Sequence, residues 1–160
     1  IKLSKKEIIN ISDLIGSDVK LGIHSRNLIL RSNNTIKTFP KKRIFVLIVK
    51  PNFGCSTKKI YSKVKKFSKA KFNKSKKRMC NFDYLKKCKN DLELIAFNNH
   101  PKLKILKNFL EKISDIEFVR MTGSGSAIVA YFNSDKKCDE IAKKVKKKFK
   151  NCWCKISKTI

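Results

Sequence analysis

Apolar residues at Ile8, Ile11, Leu14 and Ile15 recur at helical spacing, behind an S-x-x-E capping box formed by Ser4 and Glu7. Together they predict a helix over 4–15. Gly16 follows as its stop, since glycine tolerates the left-handed cap conformation. Residues 27–31 read as a strand. So do residues 43–49 (RIFVLIV), whose nearly unbroken apolar run predicts burial on both faces. Pro51 and Gly54 break that pattern, and Ser56 or Thr57 is placed to cap a helix running to about Phe67. Two short helices, 91–98 and 101–113, are divided by Pro101, a residue suited to a first helical turn. A strand at 116–120 then leads through a glycine-bearing turn, Thr122–Ser126, into a strand from Ala127 to Phe132. Residues 135–149 carry Cys138, Ile141, Ala142, Val145 and Phe149 on one helical stripe, and Cys152–Ile156 reads as the last strand. From residue 43 onward the order is strand, helices, two strands in a hairpin-like arrangement, helix, strand. It predicts an α+β sandwich of the ferredoxin-like kind, with helices on one face of an antiparallel sheet. No internal repeat is present.

Composition narrows the function classes. The 160 residues are 41% hydrophobic, enough for a packed core. No run of about 18 apolar residues predicts a membrane span, and no secretory leader pattern is visible. The first residue is Ile1 rather than Met, from which the sequence is expected to begin inside a longer chain. The formal charge of +28 raises the possibility of an anionic partner. Lysine is spread over almost every segment, however, while arginine occurs only at Arg26, Arg31, Arg43, Arg78 and Arg120. Bidentate readers of phosphate and bases tend to be arginine, so the balance points to a compositional preference rather than to a dedicated anion face. The Lys-rich stretch 68–80 is expected to be a solvated loop, with a nucleic-acid patch built around Phe72 as the alternative. Six cysteines (Cys55, Cys80, Cys88, Cys138, Cys152 and Cys154) form no C-x-x-C pair, so reduced thiols in a cytoplasmic protein are expected and no metal site. His24 and His100 lack partner motifs and are assigned no function.

Four segments carry candidate chemistry. In Gly16-Ser17-Asp18-Val19 a carboxylate follows a helix stop, where it is either a simple turn residue or a group facing a cleft that can take a hydroxyl proton during phosphoryl transfer. In the stretch from Val49 to Tyr61 a buried strand ends at Pro51 and Ser56-Thr57 opens a helix, with Tyr61 one turn after Thr57 on the same face. Asn90-Asp91-Leu92-Glu93 reads as a helix start, with Asn90 or Asp91 as N-cap and Glu93 near the positive helix end. In Arg120-Met121-Thr122-Gly123-Ser124-Gly125-Ser126-Ala127, closely spaced glycines let backbone N–H groups approach a ligand.

In this order the four segments resemble the GHMP kinases, and within them the diphosphocytidyl-methylerythritol kinases. The first is similar to the family's G-A/S-D-V-P, with Lys20 where proline is usual; the fourth is similar to its third motif, R-M-S/T-G-S/T-G. The resemblance implies Asp18 as catalytic base, Thr57 and Tyr61 at the cytidine end of the substrate, and Thr122, Gly123, Ser124, Gly125 and Ser126 shaping the substrate and phosphate end. It implies ATP and Mg²⁺ as cofactors, and cytidine diphosphate-linked methylerythritol as substrate, phosphorylated on its 2-hydroxyl for isoprenoid precursor synthesis. It also implies two parts. Residues 1–49 would be the end of a ribosomal-S5-like N-terminal domain, and 50–160 a ferredoxin-like C-terminal domain. The Gly-rich loop for ATP phosphates would then lie before Ile1, leaving 1–160 inactive alone and 1–49 with exposed apolar surface. No membrane or nucleic-acid partner is expected, and the oligomeric state would be monomer or homodimer. Two alternatives stand beside this: another GHMP kinase of the homoserine or mevalonate type, and a basic nucleic-acid-binding α+β module, which leaves the glycine turn and Gly16-Ser17-Asp18 without a role.

Overall fold

A computed structural model of the chain describes residues 2–24, 26–31, 35–40, 43–69 and 81–159, except for the side chains of Ser17, Asp18 and Lys20. These residues form two compact units, one within 2–40 and the other comprising 43–69 and 81–159. No helix among them is long and apolar enough to cross a membrane.

The first unit begins with α1 (Lys5–Ile15), capped as its sequence predicts. The Ser4 amide donates to Glu7 Oε2 at 2.7 Å, and the Glu7 amide to Ser4 Oγ at 3.3 Å. The Ser4 hydroxyl, and after it the Ser4 amide, hold the Glu7 carboxyl below its ordinary value by hydrogen bonding to it. Gly16 ends the helix at φ +146°, a conformation open to glycine. The chain re-enters a helix at once as α2 (Ser17–Gly22), so Asp18 lies in the first turn of a second helix directly after that stop. Strands β1 (Asn27–Leu30) and β2 (Ile36–Phe39) follow as an antiparallel pair, the second of them unforeseen from a segment with little alternation. The apolar stripe of α1 faces solvent: Leu14 is 89% and Ile15 65% exposed.

The second unit starts at Arg43, earlier than the expected division at 49/50. The reason is β3 (Phe45–Pro51), which lies at the centre of a four-stranded sheet in the order β4–β5–β3–β6, with every pair antiparallel. Its apolar run is explained by that place, because both of its faces are covered. Leu47 and Val49 lie in the main core, while Val46 joins Ile44 and Val129 on the other face. Five helices connect the strands. These are α3 (Thr57–Tyr61), α4 (Phe82–Lys86), α5 (Glu93–Asn99), α6 (Pro101–Glu111) and α7 (Asp135–Lys148). α3 ends six residues before the predicted stop near Phe67, and α4 follows a Lys-rich stretch whose residues 70–80, Phe72 among them, lie outside the described residues.

Leu103, Leu106 and Leu110 line one face of α6, and Cys138, Ile141, Ala142 and Val145 one face of α7. Both stripes meet the sheet at Leu47 and Val49 of β3, Val119 and Met121 of β4 (Phe118–Met121), and Ile128, Ala130 and Phe132 of β5 (Ile128–Phe132). β6 (Cys152–Lys158) is one edge and β4 the other. Burial at Cys138 pushes its thiol up to about 11, with Asp139 and Asp135 adding to the shift. The fold is the predicted α+β sandwich, with the β4–β5 turn at one end of its edge hairpin. Leu47→Ala, at a fully buried central position, is expected to cost about 2–5 kcal/mol in denaturant unfolding. Leu14→Ser on the exposed stripe is expected to stay within about 0.5 kcal/mol in the same measurement.

Candidate functional site

The glycine turn between β4 and β5 is held from three sides. Within it, the Gly125 amide donates to Thr122 O at 3.0 Å and the Thr122 amide to Ala127 O at 2.9 Å. Below it, the buried Ser126 hydroxyl donates to the carbonyl of Phe53. Phe53 in turn is stacked on the His100 ring with centroids 5.1 Å apart, which gives His100 a packing role. Beside it, the hydroxyls of Thr57 and Ser124 share a hydrogen bond of 2.9 Å. Thr57 and Ser124 are 67 residues apart in sequence, so this bond joins two of the candidate segments in one place.

Gly125 has φ +89°. A Cβ there would sit 2.9 Å from Met121 Sδ and 3.1 Å from Cys55 Sγ, so the position is closed both by backbone conformation and by space. Gly123, at φ +53°, faces open space. Burial pushes the Cys55 thiol up, which keeps it a packing sulfur and not a thiolate nucleophile.

The third segment to converge is Asn90–Glu93, and its role differs from the expected helix cap. α5 starts at Glu93 with Leu92 at the N-cap, and no side chain caps it. Asn90 Nδ2 instead donates to Met121 O at 2.9 Å and to Gly123 O at 2.8 Å, while its Oδ1 accepts from the Leu92 amide. Glu93 Oε1 accepts the Met121 amide at 3.0 Å, and its Oε2 pairs with Lys107 Nζ at 2.7 Å. Asp91 accepts both the amide and the hydroxyl of Ser68. Reading the sequence missed Asn90, Glu93 and Lys107 as supports of the turn. The available signal was an N-D-L-E string whose polar groups exceed what one helix start can use.

Thr57 begins α3 behind Ser56, whose Oγ accepts the Lys59 amide, so a serine cap precedes Thr57 as predicted. Tyr61 is 51% exposed and lies 6.4 Å from the Phe67 ring, itself 57% exposed. The flank of α3 borders a cleft of 470 Å³ lined by Ser56, Lys59, Lys63, Asn99 and His100. A larger hollow of 670 Å³ lies along the β4 edge, where Glu93, Glu111 and Glu117 alternate with Lys86, Lys107 and Arg120. That mixture of signs suits internal ion pairs better than a phosphate. Of Asp18, the structure describes the backbone in the first turn of α2, and its side chain lies outside the described set. Among the described residues no group of His, Cys, Asp and Glu gathers to hold a metal ion.

Comparison with known proteins places this site in a family. The family description "GHMP kinases C terminal" matches residues 62–151, more than half of the chain, including Asn90–Glu93 and the glycine turn. The chain belongs to the GHMP kinase family. It is 51% identical over its whole length to 4-diphosphocytidyl-2-C-methyl-D-erythritol kinase of Pelagibacter ubique (strain HTCC1062), of which it covers 57%. The chain thus spans a little over half the length of that relative. Among solved structures, a crystal structure of 4-(cytidine 5'-diphospho)-2C-methyl-D-erythritol kinase superposes with TM-score 0.76 at 18% identity, over 93% of this chain and 56% of the other. Homoserine kinase from Cytophaga hutchinsonii ATCC 33406 superposes with TM-score 0.66 at 14% identity, over 98% of this chain and 58% of that one. This fold is therefore shared with enzymes named for different substrates. Gly125→Ala, forced into a left-handed conformation and against Met121, is expected to lower the melting temperature by several degrees. Gly123→Ala, with open space around it, is expected to lower it less in the same scan.

Proposed function

We propose that this protein transfers the γ-phosphoryl group of ATP to the 2-hydroxyl of 4-diphosphocytidyl-2-C-methyl-D-erythritol. The observation that carries this is the Thr57–Ser124 hydrogen bond, which sets the predicted cytidine-end helix directly beside the predicted phosphate-end turn. The relative from Pelagibacter ubique, named for this reaction, supports the choice of substrate over that of a homoserine or mevalonate kinase.

In this mechanism the substrate lies along α3 and the glycine turn. The Thr57 hydroxyl and the Tyr61 ring hold the cytidine end. A hydroxyl and a flat ring on one helix face suit a nucleotide, and base–aromatic stacking is worth roughly 1–3 kcal/mol. Thr122 to Ser126 border the reacting end with backbone groups held by the bonds described above. The oxygen of the 2-hydroxyl forms a bond to the γ-phosphorus, the bond from that phosphorus to the β–γ bridging oxygen breaks, and ADP leaves. The hydroxyl proton passes to the Asp18 carboxylate. Mg²⁺, when bound, would be held mainly by ATP phosphate oxygens and water and would offset charge on the transferred group. The described cysteines are all free thiols, in keeping with a cytoplasmic enzyme.

The test is Asp18→Asn in the full-length protein. Turnover is expected to fall at least about 10²-fold, the contribution of a positioned general base, while calorimetric binding of the cytidine substrate stays near the wild-type value. Full activity of that variant removes Asp18 from the mechanism.

A further inference from the structure

We infer that the tetrapeptide Asn90–Glu93 is the positioning element for both walls of the site, and that Phe67 is a second aromatic of the nucleobase wall. This rests on the kinase reading given above. Two independent sets of contacts carry it. Toward the reacting end, Asn90 donates to the carbonyls of Met121 and Gly123, and Glu93 accepts the Met121 amide. The three bonds, of 2.8–3.0 Å, grip the turn from outside the sheet. Lys107 holds Glu93 in place, with both side chains only 16% exposed. Toward the other end, Asp91 accepts the Ser68 hydroxyl at 2.7 Å and the Ser68 amide at 2.8 Å. Ser68 directly follows Phe67, so that latch fixes the ring beside Tyr61.

Nothing in the fold requires those two rings to meet. α3 ends at Tyr61, and Phe67 lies outside the core with most of its surface open to solvent. Two neighbouring exposed aromatics are suited to a flat heterocycle with apolar faces. The tetrapeptide joins them to the turn, with Asp91 on the Phe67 side and its neighbours Asn90 and Glu93 on the turn. Asn90 and Glu93 act on the reacting end and Asp91 acts on the base end, so their loss separates in the kinetics. A mispositioned phosphoryl site lowers kcat, whereas a loosened nucleobase wall raises KM.

The experiment uses the full-length protein with ATP and the cytidine substrate. Asn90→Asp keeps the shape but sets a carboxylate against two carbonyl oxygens. It is expected to lower kcat by roughly 10²-fold, as a small misplacement can, with KM for the cytidine substrate nearly unchanged. Asp91→Ala and Phe67→Ala are each expected to raise that KM by roughly tenfold, within the range for one lost stacking contact, at nearly constant kcat. Phe67→Tyr is expected to restore the wild-type KM. Equal losses in both parameters for all three variants, or none in any, overturn the inference while leaving the kinase reading in place. A wild-type protein that does not phosphorylate the cytidine substrate ends the kinase reading instead. The positioning is then decided by amide hydrogen exchange. Asn90→Asp is expected to speed exchange at Thr122 and Gly125 only, and Asp91→Ala at Val64 and its neighbours only. Uniform or absent change at those amides overturns it.

Discussion

The site depends on a short set of hydrogen bonds from Asn90 and Glu93 to the backbone of residues 121–123. A turn at the end of an edge hairpin has sheet partners on one side only. Among the described residues β4 pairs with β5 and with no other strand, so the carbonyls of Met121 and Gly123 and the Met121 amide would otherwise face outward. Side chains from the start of α5 supply what a further strand would have supplied. An amide side chain suits this place because it donates twice from one nitrogen, and a carboxylate suits the N–H of Met121 because a charged acceptor makes the stronger bond. Lys107 keeps that carboxylate compensated where water has limited access, which matters because an unpaired charge there would be costly.

The remaining supports follow from the same economy of parts. Ser126, nearly without solvent contact, satisfies its hydroxyl on the Phe53 carbonyl just after β3. Thr57 meets Ser124 at the start of α3. β3 is an interior strand paired on both sides, and the loop leaving it delivers Phe53, Cys55 and Thr57 in succession. Gly125 closes against Cys55 and Met121 at a distance only hydrogen can occupy. The polar turn is thus mounted on the apolar core through a glycine, with sulfur atoms as the contact layer.

Much of the second unit was legible beforehand. Leucines at 103, 106 and 110 and the stripe on α7 each point to one helix and one buried face, while the apolar run at 43–49 points to a strand covered on both sides, with Leu47 and Val49 in the main core and Ile44 and Val46 on the opposite face. Less was legible in the first unit, where β2 has weak alternation and the helix following Gly16 begins without a break in the chain. Glycine permits a helix to stop, but it does not prevent the next residue from starting another. Of the site, the glycine turn and Thr57 could be read from motif and spacing. The purpose of Asn90–Glu93 could not, since Asn and Asp before a helix look alike whether they cap it or reach elsewhere.

For the second unit the amino-acid sequence by itself determined the main buried segments, their type and their order, and through these the antiparallel α+β sandwich. Period and apolarity are local properties, and burial is the force that acts on them. Only the tertiary structure decided which polar groups meet. Thr57 finds Ser124 across 67 residues and Asn90 finds Gly123 across 33, because the strand order sets β4 and β5 beside the ends of β3 and α5. Hydrogen bonds act over about 3 Å, and no spacing along the chain encodes a distance that short between residues so far apart.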